Sequence, residues 1–397
     1  MEDLLIESQQ RVNNTPNYFK RYLLDKVNWN NRLIAIKGAR GVGKTTLILQ
    51  YIAQRLPQDH TVLYISLDHL YFYSHNLIDL ADEFVKNSGR YLFLDEIHKY
   101  SNWSRELKLI YDKYPGLQVV FTSSSILEIY KGESDLSRRL VSYNLNELSF
   151  REFIELESKI KLPSFSLKEI LNNHTDISSE ILAKLKPLFE FKKYLKHGAY
   201  PYFIEGIDEY DEKMINTINL ILETDLPAVH KIDYALIGKI KKLLYAVSTS
   251  VPFKPNISKL SERTGVTRPT LLLFLNYLEK SLLIKQLRTE NIGISIMSKP
   301  EKLYLHNTNL IFSIAKENAN TGNVRETFFI NQISNDHRVN YSKIADFFID
   351  NKYIFEVGGK SKSQKQIKNI PNAYVIKDDI ESGIKNIIPL WLFGFLY

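Results

Sequence analysis

Nine residues, Gly38-Ala-Arg40-Gly41-Val42-Gly43-Lys44-Thr45-Thr46, have the types and spacing to do chemistry on a phosphate chain. Glycines placed this way let backbone N–H groups close around phosphate oxygens, and the start of a following helix favours negative charge. Lys44 would reach the β- and γ-phosphates, and the Thr45 hydroxyl would ligand Mg²⁺. About fifty residues later, Tyr91-Leu-Phe-Leu-Asp95-Glu96 ends an apolar run with two acids. Asp95 suits the metal, and Glu96 suits polarising an attacking water, because hydrolysis needs an aligned nucleophile as well as charge neutralisation. The acidic motif alone is weak. At this distance from the glycine motif, the pair implies ATP and Mg²⁺ as cofactors, for hydrolysis or for switching.

These side chains need a scaffold that delivers them to one edge. Arg32–Lys37 reads as a buried strand before the glycines, and Leu47, Ile48, Tyr51, Ile52 and Leu56 give a helical pattern after them. Further apolar runs, Thr61–Ser66 and Leu117–Thr122, complete a parallel sheet whose strand ends bind the ligand. The second run leads into Thr122-Ser123-Ser124-Ser125, where the hydroxyl of Thr122, Ser123 or Ser124 could sense the γ-phosphate or merely cap a strand end or helix. Arg138 and Arg139 follow. Either could stabilise transition-state charge, often in a neighbouring subunit, or form a surface ion pair.

Gly38–Thr46, the Leu94–Trp103 stretch, Thr122–Ser125, Asp135–Arg139 and Leu148–Phe153 together resemble the AAA-type ATPases of bacteria and archaea. More narrowly they resemble the subfamily with a C-terminal domain of long-unknown function, over nearly the whole chain. The resemblance implies a five-stranded sheet with a helical lid. It also implies nucleotide-site roles for Lys44, Thr45, Asp95, Glu96, Ser123 and Arg138 or Arg139.

Residues 150–245 read as helices without a catalytic constellation, and His174, His197 and His230 read as structural or surface groups. Residues 257–287 have helix-turn-helix form with a wing strand: Gly265 at the turn, and Pro269 opening the second helix. That helix is apolar almost all round, leaving Thr267, Arg268, Thr270, Asn276 and Lys280 for DNA, which suits phosphate contact better than sequence readout. Further on, Asp346 and Glu356 read as lying on adjacent strands of a hairpin turning at Asp350–Lys352, with Glu326 on a helix as a third acid. The stretch resembles the PD-(D/E)xK nuclease core, which implies a second candidate Mg²⁺ set of Glu326, Asp346 and Glu356. One feature departs from that pattern. The position two after the acid is Gly358, and lysines come only at Lys360, Lys362, Lys365 and Lys368. Those lysines suit DNA phosphates or a solvated helix face, so the expectation is a nuclease-like domain that contacts DNA, with cleavage and a purely structural domain as the alternatives.

The formal net charge is +7, and all of the excess lies beyond residue 245: 32 basic and 32 acidic residues before it, 20 and 13 after it. Such asymmetry favours a polyanionic partner for the C-terminal part. The absence of cysteine excludes disulfides and thiolate metal sites. The polar, acidic start is no secretory signal, and the late run Ile387–Tyr397 is too short to span a bilayer and reads as a buried strand. A cytoplasmic, multi-domain α/β protein is expected, forming a homo-oligomer, conceivably a ring. Its parts would be an AAA-type ATPase domain at 1–148, a helical lid at 149–245, a winged helix at 246–295 and a restriction-endonuclease-like α/β domain at 296–397. The function this implies is an ATPase acting on DNA as a structure-selective remodeller or translocase, for instance on branched DNA. The alternatives are an ATP-gated nuclease and a signalling switch with a protein partner.

Overall fold

The computed structural model describes residues 1–123, 136, 138–227, 234–249, 254–289 and 299–397. They form two compact units, Met1–Glu147 and Leu148–Tyr397.

Short apolar runs bounded by turn residues build the first unit. Strands β1 (Leu33–Lys37), β2 (Val62–Ser66), β3 (Tyr91–Asp95), β4 (Gln118–Ser123) and β5 (Val141–Asn144) form one parallel sheet in the order β2-β3-β4-β1-β5. All five residues of β1 are buried, as expected for a strand covered on both faces. Period-two alternation sends Leu33, Ala35, Leu63, Ile65, Leu92, Leu94, Val119 and Phe121 into one core, shared with Leu77, Leu80 and Phe84 of the helix Leu77–Lys86. On the opposite face, Phe93 meets Tyr51 of the helix Lys44–Arg55, which stacks on Trp29 with centroids 3.7 Å apart. Because the strands are parallel, all their C-terminal ends fall on one edge. The chemistry-bearing residues after β1, β3 and β4 are therefore brought together.

In the second unit, a short hairpin pairs β6 (Ile284–Leu287) with β7 (Lys302–Leu305). A separate five-stranded sheet contains β8 (Val339–Tyr341), β9 (Phe347–Ile349), β10 (Tyr353–Gly358), β11 (Ala373–Lys377) and β12 (Ile387–Pro389). The β8-β9-β10 part is an antiparallel meander, and β11 and β12 then add in parallel. The β9–β10 turn falls where expected, with Asp350 and Asn351 at φ of 51° and 54°, the left-handed pair that a tight hairpin requires. The helix Thr321–Ile333 lies on this sheet through Phe329, which contacts Phe347, Phe355 and Phe393. The two helices expected at 257–280 form as Ile257–Thr264 and Arg268–Lys280. Gly265 is left-handed at the first C-terminus, and Thr267 caps the second N-terminus.

One expectation needs correcting: the run Ile387–Tyr397 is a strand only to Pro389, and Leu390–Phe395 is a buried 3₁₀ helix. Pro389 has no N–H to continue the ladder. His174 and His197 are structural as expected. His174 Nε2 lies 3.0 Å from the Lys385 carbonyl, and His197 packs on Tyr210. His230 lies outside the described residues. Among the described residues, no helix is long and apolar enough to cross a membrane.

Candidate functional site

At the C-terminal edge of the first sheet, the Gly38–Lys44 turn joins β1 to the helix Lys44–Arg55. A Cβ on Gly38 would lie 2.2 Å from the Leu145 carbonyl oxygen, so only glycine lets the loop pass there. Gly43 has φ of 93°, a conformation that turns the loop sharply into the helix. Arg21, which sequence reading missed, is buried beneath this turn. It donates to the Val42 carbonyl and to those of Asn146 and Glu147, the latter two at 2.7 and 3.1 Å. This ties the loop to the chain beyond β5.

Lys44 is buried and donates to the carbonyls of Gly38 (3.0 Å) and Ala39 (2.8 Å). Both carbonyls belong to its own loop. One residue on, the Thr45 hydroxyl donates to Asp95 Oδ2 at 2.7 Å. Two further hydroxyls reach this carboxylate: Tyr64 to Oδ2 at 2.8 Å, and Thr122 to Oδ1. Burial first, and then the charge of Asp95, push the Tyr64 phenol far above its ordinary range, so it remains a donor. Asp95 is 3% exposed, and among the described residues no ammonium or guanidinium pairs with it.

Glu96 leaves the strand in a left-handed conformation, φ 52°, which swings its side chain away from the β3 direction. Its Oε2 lies 3.3 Å from His98 Nε2 and 4.0 Å from Arg40. His98 Nδ1 in turn lies 3.2 Å from the Ser123 hydroxyl. The imidazole therefore stands between the acid and the hydroxyl that sequence reading had singled out separately. Thr46, on the helix, and Arg40, Gly41 and Val42, in the loop, complete the set expected around a triphosphate. Ser124, Ser125 and Asp135 lie outside the described residues. Arg139 is committed to a two-point pair with Asp112 at 2.9 and 3.0 Å. Arg138 is exposed, with no hydrogen bond or ion pair among the described residues.

A second polar cluster is built on the sheet of the other unit. Asp346 stands just before β9, and its Oδ2 accepts from the Val357 amide on β10 at 2.9 Å. Glu356, on β10, and Glu326, on the helix Thr321–Ile333, are both buried. All three expected acids are thus present, with lysines among them. Lys302 on β7 lies 3.0 Å from Glu326 Oε2 and 2.9 Å from Asp346 Oδ1, and the Tyr304 hydroxyl donates to Glu326 Oε2 at 2.6 Å. Lys362 pairs with Glu356. Burial, then the nearby charge of Asp346, raise the pKa of both Glu326 and Glu356. Burial opposes the Lys302 charge, but the two carboxylates outweigh it and raise its pKa. Among the described residues, no three acid or imidazole groups gather as a metal cage. Lys360 and Lys365 are exposed, whereas Lys362, expected to face DNA, turns inward to Glu356. Arg268 lines a recess of about 340 Å³ together with Lys254, Lys299, Asn256 and Ser258.

Residues 30–154 match a family model described as an AAA domain, and residues 188–321 match one described as a domain of unknown function. An uncharacterized protein of Methanocaldococcus jannaschii is 29% identical over 270 residues, 65% of this chain and 57% of that one. The chain therefore spans a little over half the length of that curated relative. Among solved structures, a Walker-type ATPase of Pyrococcus abyssi aligns at 12% identity and TM-score 0.38, over 78% of this chain and 94% of that one. DnaA of Aquifex aeolicus bound to AMPPCP aligns at 17% and 0.25, over 65% and 84%. The S. cerevisiae Hsp104–ADP complex aligns at 18% and 0.31, over 70% and 40%. These scores are too low to carry an argument. The sequence match over 30–154 and the five-stranded parallel sheet are enough to state that the chain carries an AAA-type ATPase domain.

Proposed function

We propose that the chain hydrolyses ATP and applies the resulting change to DNA, which its C-terminal unit contacts without cutting. The observation that carries the ATPase half is the convergence of Lys44, Thr45, Asp95 and Glu96 on one sheet edge. Thr45 and Asp95 fit Mg²⁺: a hydroxyl and a carboxylate stand 2.7 Å apart, and the acid's hydrogen-bond partners are neutral hydroxyls. The ion would neutralise phosphate charge. Lys44 binds the β- and γ-phosphates, the amides of Gly41, Gly43 and Lys44 orient them, and Glu96 orients water and takes its proton. His98 and Ser123 position Glu96. Arg138 is the better candidate for a neighbouring subunit's γ-phosphate, because Arg139 is already paired with Asp112. That assignment goes with a homo-oligomer.

The DNA half rests on charge. The basic excess lies wholly beyond residue 245, and Lys254, Arg268 and Lys299 share one recess. Phosphate contact by these groups and by Lys360 and Lys365 needs proximity rather than fixed geometry. The helix Arg268–Lys280 buries Leu271, Leu272, Phe274, Leu275 and Leu278, which favours recognition of DNA form over sequence. Lid, winged helix and nuclease-like domain remain our division of the second unit, at 149–245, 246–295 and 296–397. The test is the salt dependence of DNA binding by wild type and the triple variant Lys254→Ala/Arg268→Ala/Lys299→Ala. Losing three phosphate contacts lowers the log–log salt slope by roughly 2–3. An unchanged slope would remove the recess from the DNA surface. Absence of any DNA binding at low salt would turn the reading toward a switch with a protein partner.

A further inference from the structure

Carboxylates that hold a divalent cation must offer it oxygens at about 2.0–2.6 Å and charge that nothing else has cancelled. In the acid cluster of the second unit, lysines already meet that charge. Lys302 comes from the β6–β7 hairpin, outside the sheet that carries the acids, and its side chain is only 8% exposed. Its ammonium lies between Glu326 Oε2 and Asp346 Oδ1, about where an ion bridging those two oxygens would sit. Asp346 Oδ2 is already used by the Val357 amide. The third acid, Glu356, is 2% exposed and receives the second ammonium, Lys362.

Lys362 arrives by a route that Gly358 leaves open. A Cβ at 358 would lie 2.7 Å from the Lys362 Cγ and Cδ, so the lysine stem passes over the glycine where a side chain would otherwise stand. Lys362, four residues later, thus fills the space over Gly358. Two ammonium groups carry the charge of one divalent ion. Among the described residues, Glu356 Oε2 is the one carboxylate oxygen of the cluster that is both buried and without a hydrogen-bond partner.

We propose that Lys302 and Lys362 are the protein's own replacement for a divalent cation, so that the acid cluster is permanently filled and this unit works without bound metal. A tethered ammonium needs no ion from solution and forms with the fold. It also lacks what a metal would add, a bound water of lowered pKa. The cluster is therefore a structural core that preserves the surface around it. The inference goes beyond the DNA-contact reading, and it would survive the failure of that reading, because its readout is metal alone.

The test uses the full chain without nucleotide. Fe²⁺ with ascorbate and peroxide cuts the backbone beside a bound ion, and the cuts are mapped by mass spectrometry. Wild type is expected to show no cuts near 302, 326, 346 or 356. Lys302→Met keeps the apolar stem and removes the charge, so this variant should bind one more Mn²⁺ per chain than wild type. That gain should vanish in Lys302→Met/Asp346→Asn. Cuts at the cluster in wild type would overturn the proposal, as would a folded Lys302→Met that gains no Mn²⁺. If Lys302→Met does not fold, the wild-type map decides alone.

Discussion

The two polar sites use the same vocabulary of lysines, acids and hydroxyls, but they combine it in opposite ways. In the first unit, hydroxyls gather on the acid and backbone carbonyls on the ammonium: three on Asp95 and two on Lys44. In the second unit acid and ammonium are joined, with Lys302 on Glu326 and Asp346 and Lys362 on Glu356. Neutral partners, such as the three hydroxyls on Asp95, fix a charged side chain without cancelling its charge. Ionic partners fix it and cancel the charge. In our reading the first arrangement receives Mg²⁺ and phosphate, and the second is filled by its own lysines.

The largest effect should come from breaking the filled site. Lys302→Ala leaves the buried Glu326 and the half-buried Asp346 without their cation, which costs about 3 kcal/mol. Chemical denaturation should show this as an early transition of the second unit. A loss below about 1 kcal/mol would mean that water already shares the cluster. In the open site, Lys44→Ala should leave stability nearly unchanged and reduce phosphate release about 10²–10³-fold, as expected when a charged stabiliser of the transition state is removed. Comparable hydrolysis by the variant would place the chemistry elsewhere.

The open site was far easier to read from the sequence than the filled one. Its residues lie in short local motifs, Gly38–Thr46 and Tyr91–Glu96, and parallel strands bring such motifs to one edge without further information. Asp346 and Glu356 were legible as neighbours because a tight turn joins β9 to β10, although Asp346 stands just before β9 rather than on it. Lys302 was not legible: 24 and 44 residues separate it from Glu326 and Asp346, and no periodicity links them. Tyr64 was hidden for a related reason. Only the pairing of β2 with β3, Ser66 opposite Asp95, brings its hydroxyl to that acid. The reach of Lys362 over Gly358 depends on side-chain direction, which spacing alone does not give.

Smaller changes sharpen the contrast. Tyr64→Phe removes one hydroxyl from a buried carboxylate that keeps two others, and should cost about 1.5–3 kcal/mol. The same variant should weaken Mg²⁺–ATP binding less than Thr45→Ala does, which calorimetry can check. The smallest effect concerns pH. Burial, then Asp346, raise the Glu356 pKa above 4.5, so the folded state favours its protonated form. Its stabilising contribution is therefore present below the unfolded value and is lost as pH rises through the folded one. Urea unfolding should show wild type losing ground to Glu356→Gln as pH increases from 4.5, and a difference flat with pH would remove this carboxyl from the linkage.

The most direct test of the account is Mg²⁺-dependent ATP hydrolysis by wild type and Lys44→Ala, each with no DNA, linear duplex, single strand or a four-way junction. The DNA is run on a gel afterwards. We predict turnover that requires Mg²⁺ and Lys44, rises with one DNA form and leaves every DNA intact. Mg²⁺-dependent DNA fragments that disappear in Glu356→Gln would contradict it, because the cluster taken here as filled would then be holding metal and cutting.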